Sequence, residues 1–309
     1  MAKFRSHYSR NSKASSPFLI RLLVYGVVLI LLLLYVARYF KTYLRSHEIS
    51  YPQLSPNDIQ DTGGVKEDFL PSENPVNVRI HHTYFSLSYV ERHEQPEWVA
   101  YELTVDRLNE PKQERFDYFS PDLKIKSRSA IHRDYTGSGY TRGHLAPAAD
   151  MAFDPVAARE CFFMSNISPQ ARAFNNGVWR ELEENVRDWA RMNKRIWVVT
   201  GPVLSEDLKT KIGENRVSVP QLFYKVILDY TDPGKKGIAF LIPNEKSDLP
   251  LKNFAISIDS VERLTAINFF AAISDQAVVE VLEKQIDIKA WPINAARYSL
   301  RKSKWNKQE

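Results

Sequence analysis

The chain has 309 residues, 44% hydrophobic and 26% charged, with 16 Phe, 15 Tyr and 6 Trp. That is enough apolar material for one large core or two small ones, and it excludes a globally disordered, collagen-like or coiled-coil chain. The single cysteine, Cys161, excludes a disulfide-stapled scaffold and a Cys-rich zinc module. The net charge of +5 is concentrated at the start: residues 1–47 carry eight Lys/Arg and no acid, and the remainder holds 34 basic against 37 acidic residues. A globally positive surface is therefore excluded for everything beyond residue 47.

In chain order, a basic segment (1–17) precedes an apolar one (18–37) whose stretch Leu22–Ala37 has no charge and is flanked by Arg21 and Arg38. At 1.5 Å per residue, twenty helical residues cross roughly the 30 Å hydrocarbon core, so 18–37 is expected to be a single transmembrane anchor. Val36-Ala37-Arg38 is a poor signal-cleavage site. The positive flanks, five before the span and three after it, place the N-terminus in the cytoplasm and the main domain on the outer or periplasmic side. The acid-free Ser/Arg-rich start also fits a mitochondrial presequence, with the mitochondrial inner membrane as the alternative location. Residues 38–75, with Pro52, Pro56, Pro71, Pro75 and Gly63-Gly64, read as a flexible linker.

Residues 76–309 read as one α+β domain. Strands are expected at 84–89, 98–104, 196–200, 222–228 and 238–242, where β-branched and aromatic residues cluster. Trp179, Leu182, Val186 and Trp189 recur at helical spacing, and further helices are expected at 260–270 and 276–286. Strands and helices do not alternate regularly, which argues against a doubly wound parallel sheet.

The residues with chemical potential fall in three runs. In 134–147 a Gly-rich turn precedes Arg142-Gly143-His144, and Gly139 and Gly143 are expected to present Arg142 and His144 at an exposed rim. Asn166-Ile167-Ser168-Pro169-Gln170 follows. Then Asn175 opens the amphipathic helix, with Glu183 and Arg187 four apart on a flank of its apolar stripe. Taken singly, these residues also have ordinary readings: a structural histidine, an Asn cap, a solvated Glu–Arg pair.

Together, Y-T-G-S-G-Y-T-R-G-H-L-A-P-A-A-D-M (135–151), F-M-S-N-I-S-P-Q (163–170) and N-N-G-V-W-R-E-L-E (175–183) resemble the DNA/RNA non-specific endonucleases, the ββα-metal or His-Me finger nucleases. Residues 198–204, 219–226 and 254–265 are similar as well, so the resemblance covers about 80–275. It implies a central, mostly antiparallel sheet flanked by helices, and hydrolysis of DNA and RNA with little sequence preference. It implies Mg²⁺ as cofactor, with Mn²⁺ as an alternative, and leaves a homodimer open. By the same resemblance His144 is the general base, Asn175 the protein ligand of a hydrated metal, and Glu183 the holder of a metal-bound water. Arg142 and Arg187 are site arginines, Asn166 positions the site, and Arg115 is the candidate for an upstream arginine supporting the transition state.

One departure stands out: the family usually has Asp where this chain has Thr141, which cannot supply a negative charge. It leaves room for a second reading, a binding module with weak or no turnover; a third is a phosphodiesterase for another anionic substrate. Rival motifs are weak. Gly137-Ser138-Gly139 lacks the G-K-[ST] ending of a phosphate loop, no G-x-S-x-G elbow occurs, and His81-His82 lacks partners at zinc spacing. Residues 276–309, with a basic tail of Arg297, Arg301, Lys302, Lys304 and Lys307, are compatible with a cap, an interface or a nucleic-acid contact.

Overall fold

A computed structural model describes residues 66–307 except 117 and 128, together with 25, 26, 30–32, 34, 35 and 38. The chain divides into two units, 1–60 and 61–309. In the first, the described residues are helical. Among the described residues no helix is long and apolar enough to cross a membrane. The rest of the expected span 18–37, and of the expected linker up to residue 65, lies outside the described residues.

The second unit is built on β1 (Val78–His81), β2 (Phe85–Val90), β3 (Gln95–Thr104), β4 (Tyr140–His144), β5 (Ile167–Ala171), β6 (Arg195–Pro202), β7 (Lys211–Ile212), β8 (Val217–Ser218), β9 (Leu222–Asp229), β10 (Lys236–Pro243) and β11 (Ala255–Ile256). Seven strands form one sheet in the order β1-β2-β3-β6-β9-β10-β11, every neighbour antiparallel. The expected α+β class and antiparallel sheet are observed. The central strands β6 and β9 are buried nearly throughout because both faces of the sheet are covered, which is why they read as continuous β-branched and aromatic runs.

The helices are α1 (Val105–Asn109), α2 (His132–Tyr135), α3 (Pro155–Glu160), α4 (Arg180–Asn193), α5 (Ile258–Thr265), α6 (Gln276–Lys284) and α7 (Ala295–Ser303). On α4 the stripe Leu182, Val186 and Trp189 is fully buried, and Trp189 stacks on Phe240 of β10 with ring centroids 5.8 Å apart. The apolar periodicity of α4 is thus spent on the sheet, leaving its opposite flank for polar residues.

Several expectations need correction. Packing begins before residue 76: Phe69 stacks on Trp197 at 3.8 Å and Leu70 is buried in the core. The helix expected over 260–270 is α5, which stops at Thr265 because Ala266 adopts a left-handed conformation (φ 58°) and the Phe269 N–H turns back to Glu262 Oε1. The helix expected over 276–286 ends at Lys284. The Gly-rich turn is followed by a strand that was not expected, β4 (Tyr140–His144); within 134–147 only Gly137 and Gly139 have positive φ. Gly143 is required for space instead, since a Cβ there would run into the Gln170 side chain.

The C-terminal segment packs on α4. Arg301, fully buried, meets buried Glu181 at 2.7 Å and donates to the carbonyls of Ser247 and Leu249. Arg297 pairs with Glu184 and Asp188, and Asn185 Oδ1 accepts from the Asn294 N–H. The segment thus covers part of α4, while Lys302, Lys304 and Lys307 stay exposed.

Candidate active site

Strand β4 pairs with β5 in the register Tyr140↔Ala171 to His144↔Ile167. Because side chains alternate along a strand, Arg142 and His144 share one face. The His144 ring packs against both Phe119 (5.4 Å) and Phe162 (4.6 Å, edge-on), which meet each other at 5.1 Å, and the Arg142 guanidinium sits 5.2 Å over the same Phe119 ring. Arg115 approaches the Phe162 ring at 5.8 Å. The two aromatic rings therefore orient the histidine and both arginines together.

After β5 the chain makes one helical turn, Arg172–Phe174, then a wide turn over Asn175–Trp179 before α4. The break is at Gly177, whose φ and ψ of −101° and −109° are not helical, and a Cβ there would come within 2.7 Å of Asn306 Oδ1. Wide turns of this kind inside helices recur at functional sites because they redirect side chains. Here Asn175 Nδ2 is turned toward β4 and donates to Thr141 Oγ1 at 3.0 Å, while that hydroxyl donates to the Gln170 carbonyl at 2.9 Å. With the hydroxyl proton committed to Gln170, Thr141 can only accept from Asn175, which leaves the Asn175 carbonyl oxygen as an acceptor.

On α4, Glu183 and Arg187 project from one flank. Arg187 donates to Asp150 Oδ1 at 2.7 Å, and the Tyr101 hydroxyl donates to Asp150 Oδ2 at 2.9 Å. Burial disfavours the Arg187 charge, but Asp150 and Glu183 more than compensate, so the guanidinium is held above its ordinary value. Behind them lies Lys225 of β9, fully buried, donating to Thr200 Oγ1 at 3.0 Å and sitting 4.7 Å over the Trp179 ring. Burial pushes the Glu183 carboxyl upward, against the pull of Lys225 and Arg187. Burial likewise pulls the Lys225 ammonium downward, against Glu183 and Asp150.

Arg115, Arg142, His144, Asn175, Glu183 and Arg187 all line one open cleft of about 440 Å³, with Phe119, Asn176, Arg180 and Glu184 among its other walls. Six of the seven expected site residues are thus brought together from a loop, a strand, a turn and a helix. Asn166 is not among them. It is fully buried, its Oδ1 accepting from the Ala146 N–H and its Nδ2 donating to the carbonyls of Ala146 and Cys161, so it fixes the chain leaving β4 rather than facing a substrate. A larger depression of about 860 Å³, lined by residues such as Tyr140, Lys209 and Asn244, holds no histidine or arginine.

Sequence reasoning missed Asp150, Tyr101 and Lys225. Asp150 stands in the 135–151 run with no partner visible in the sequence, and Lys225 reads as an anomaly in an apolar strand, the one signal that could have flagged it. His82, set aside as a zinc ligand, is buried with Nε2 3.0 Å from Asp122 Oδ2. The donor set of the cleft fits a hard cation: an amide oxygen and a carboxylate, with no thiol.

The profile of the family described as DNA/RNA non-specific endonuclease matches residues 66–276. The chain is 34% identical over 215 residues to the mitochondrial nuclease EXOG of Danio rerio, covering 65% of this chain and 63% of that protein. It is 33% identical over 223 residues to nuclease C1 of Cunninghamella echinulata var. echinulata, covering 67% and 84%. Its fold is similar to a chain in the crystal structure of an EndoG/EndoGI complex, with a TM-score of 0.57 and 32% identity over 63% of this chain and 86% of that one. The chain spans less than two thirds of the length of the EXOG relative, and α7 with nearly all of α6 lies beyond the family match.

Proposed function

The chain belongs to the DNA/RNA non-specific endonuclease family, and from that premise we propose that it is a metal-dependent endonuclease hydrolysing phosphodiester bonds of DNA and RNA with little sequence preference. The observation that carries this reading is the convergence of His144, Asn175, Glu183 and three arginines on one cleft.

His144 takes the proton of the attacking water, a task suited to an imidazole near neutral pH. Arg115, Arg142 and Arg187 hold the phosphate and offset the negative charge added at phosphorus. Asn175, through the oxygen left over from its bond to Thr141, would hold Mg²⁺ or Mn²⁺, and Glu183 would hold one of its waters. The bound metal supplies stabilisation of the leaving oxygen. Phosphate contacts carry no sequence information, which accounts for weak base preference. Away from the N-terminal arm, attraction comes from this local cleft, so a shallow dependence of affinity on salt is expected.

The uncharged run Leu22–Ala37 supports membrane attachment of the chain. The acid-free start, and the word mitochondrial in the relative's name, support the mitochondrial inner membrane over an outer or periplasmic location. Alkaline extraction of membranes checks the attachment: release of the full-length chain would refute it.

The catalytic test is cleavage of supercoiled plasmid and single-stranded RNA by the full-length protein in detergent, with Mg²⁺, with EDTA, and with His144→Ala or Asn175→Ala. Metal-dependent nicking of both substrates, lowered by orders of magnitude in each variant, is expected. A folded, inert wild type overturns the proposal and leaves the binding-module reading.

A further inference from the structure

Outside the cleft, three carboxylates meet at the seam between α5 and α6. Asp259 and Glu262 stand three apart on α5, hence on one face, and Glu283 comes from α6. One oxygen from each lies within 4.8 Å of the other two. Glu283 is only 7% exposed and its Oε1 has no hydrogen-bond partner.

The surrounding charges do not neutralise the group. Arg263 approaches Asp259 only at 3.8 Å and spends Nη2 on Ser260 Oγ. Lys284 turns away to Glu280 at 3.3 Å. Glu262 Oε1 accepts the Phe269 N–H at 2.7 Å, a neutral donor that does not offset the negative charge. A buried carboxylate without a partner is unfavourable. Its burial and the carboxylates of Glu262 and Asp259 push Glu283 up to about 8.

The donor set indicates which cation. Mg²⁺ is usually held through one or two carboxylates and keeps several waters, whereas Ca²⁺ takes six to eight oxygen ligands in flexible geometry. Three carboxylate oxygens gathered within 4.8 Å of one another suit the less exacting ion. Asp259 and Glu262 are half-buried, so water can complete the six to eight ligands that Ca²⁺ takes. The scaffold is rigid: Gly237 of β10 lets α5 and α6 seat closely, with Ile258 Cδ1 and the Leu282 carbonyl occupying the space around its missing Cβ.

We propose that Asp259, Glu262 and Glu283 form a Ca²⁺ site that clips α6 onto α5. Glu283 lies beyond residue 276, so the third ligand comes from the segment outside the family match. The ion fastens the root of the C-terminal segment that packs along α4.

The test is calorimetric titration of the metal-stripped full-length protein with CaCl₂, beside Glu283→Gln and Asp259→Asn, both near-isosteric. The wild type should take up one more Ca²⁺ per chain than either variant, with a dissociation constant of about 10⁻⁴ M, and lose at least tenfold in affinity at this site on substitution. Any cation held in the cleft is common to the three proteins and cancels. Ca²⁺ should raise the thermal midpoint of the wild type by several degrees, more than equal Mg²⁺ does, and that of the variants by less. Equal stoichiometry in all three proteins overturns the site. A Glu283→Gln protein that melts higher than wild type, with no differential Ca²⁺ effect, overturns it in favour of a protonated carboxyl.

Discussion

Thr141 Oγ1 and Asn175 Nδ2 are 3.0 Å apart, so the residue that departs from the family's usual Asp holds the side chain assigned to the metal. The hydroxyl accepts from the amide and donates to the Gln170 carbonyl, joining β4, β5 and the turn before α4 in one short chain of hydrogen bonds. Orientation is preserved without a negative charge.

From this relationship, Thr141→Val should lower metal-dependent cleavage by about 10- to 100-fold, the usual consequence of removing a partner that orients a metal ligand. Thr141→Asp should retain most activity, because a carboxylate also accepts from Asn175. Rates across a Mg²⁺ titration check this, with the valine loss partly recovered at high metal. An unimpaired valine variant would refute the orienting role.

The buried ion pair of Arg301 and Glu181 ties the C-terminal segment to the helix carrying Glu183. Arg301→Met leaves Glu181 buried without its ion-pair partner and should destabilise the protein by about 3–5 kcal/mol. The double variant Arg301→Met/Glu181→Leu should recover much of that loss. Denaturant midpoints measure both, and a double variant no more stable than Arg301→Met would contradict the electrostatic explanation.

His93 is buried with Nδ1 2.9 Å from Ser218 Oγ. Burial, with Arg92 and Lys211 nearby and against Glu206, pulls its pKa down to about 4. Its folded value lies below its unfolded value, so between about 4 and 6.5 the unfolded chain binds the extra proton. Its stabilising contribution is therefore full above 6.5 and lost as pH falls toward 4, with a slope of up to about 1.4 kcal/mol per pH unit. His93→Gln should flatten the dependence of the unfolding free energy over that window.

Cys161 is fully buried, and burial pushes its thiol up to about 12. At pH 8 the folded protein should resist a thiol-directed reagent, and labelling should track unfolding in denaturant. Rapid labelling of the native protein would show that α3 opens readily.

Strands at the centre of the sheet could be read from the chain because a fully buried strand needs β-branched and aromatic residues on both faces, as in Leu222–Asp229. The α4 stripe was equally plain, since Trp189 and its neighbours meet the sheet at helical spacing. Tyr140–His144 was not, because a short run holding Arg142, Gly143 and His144 forms a strand only when Ile167–Ala171 is alongside. The helix ending at Thr265 was overestimated because its stop is a left-handed alanine rather than glycine or proline.

Within the site, three ordered motifs sufficed to nominate His144, Asn175 and Glu183, since residues that share one task recur at fixed spacings. What the sequence by itself determined was the family, the class of fold and these candidates, all carried by local pattern. The tertiary structure alone decided that Asp150 grips Arg187, that Lys225 lies buried behind Glu183, that Asn166 serves the backbone, and that Thr141 turns Asn175. Those relationships join residues 20 to 42 positions apart, and whether a charge is paired or a hydroxyl accepts is settled by what folding brings beside it.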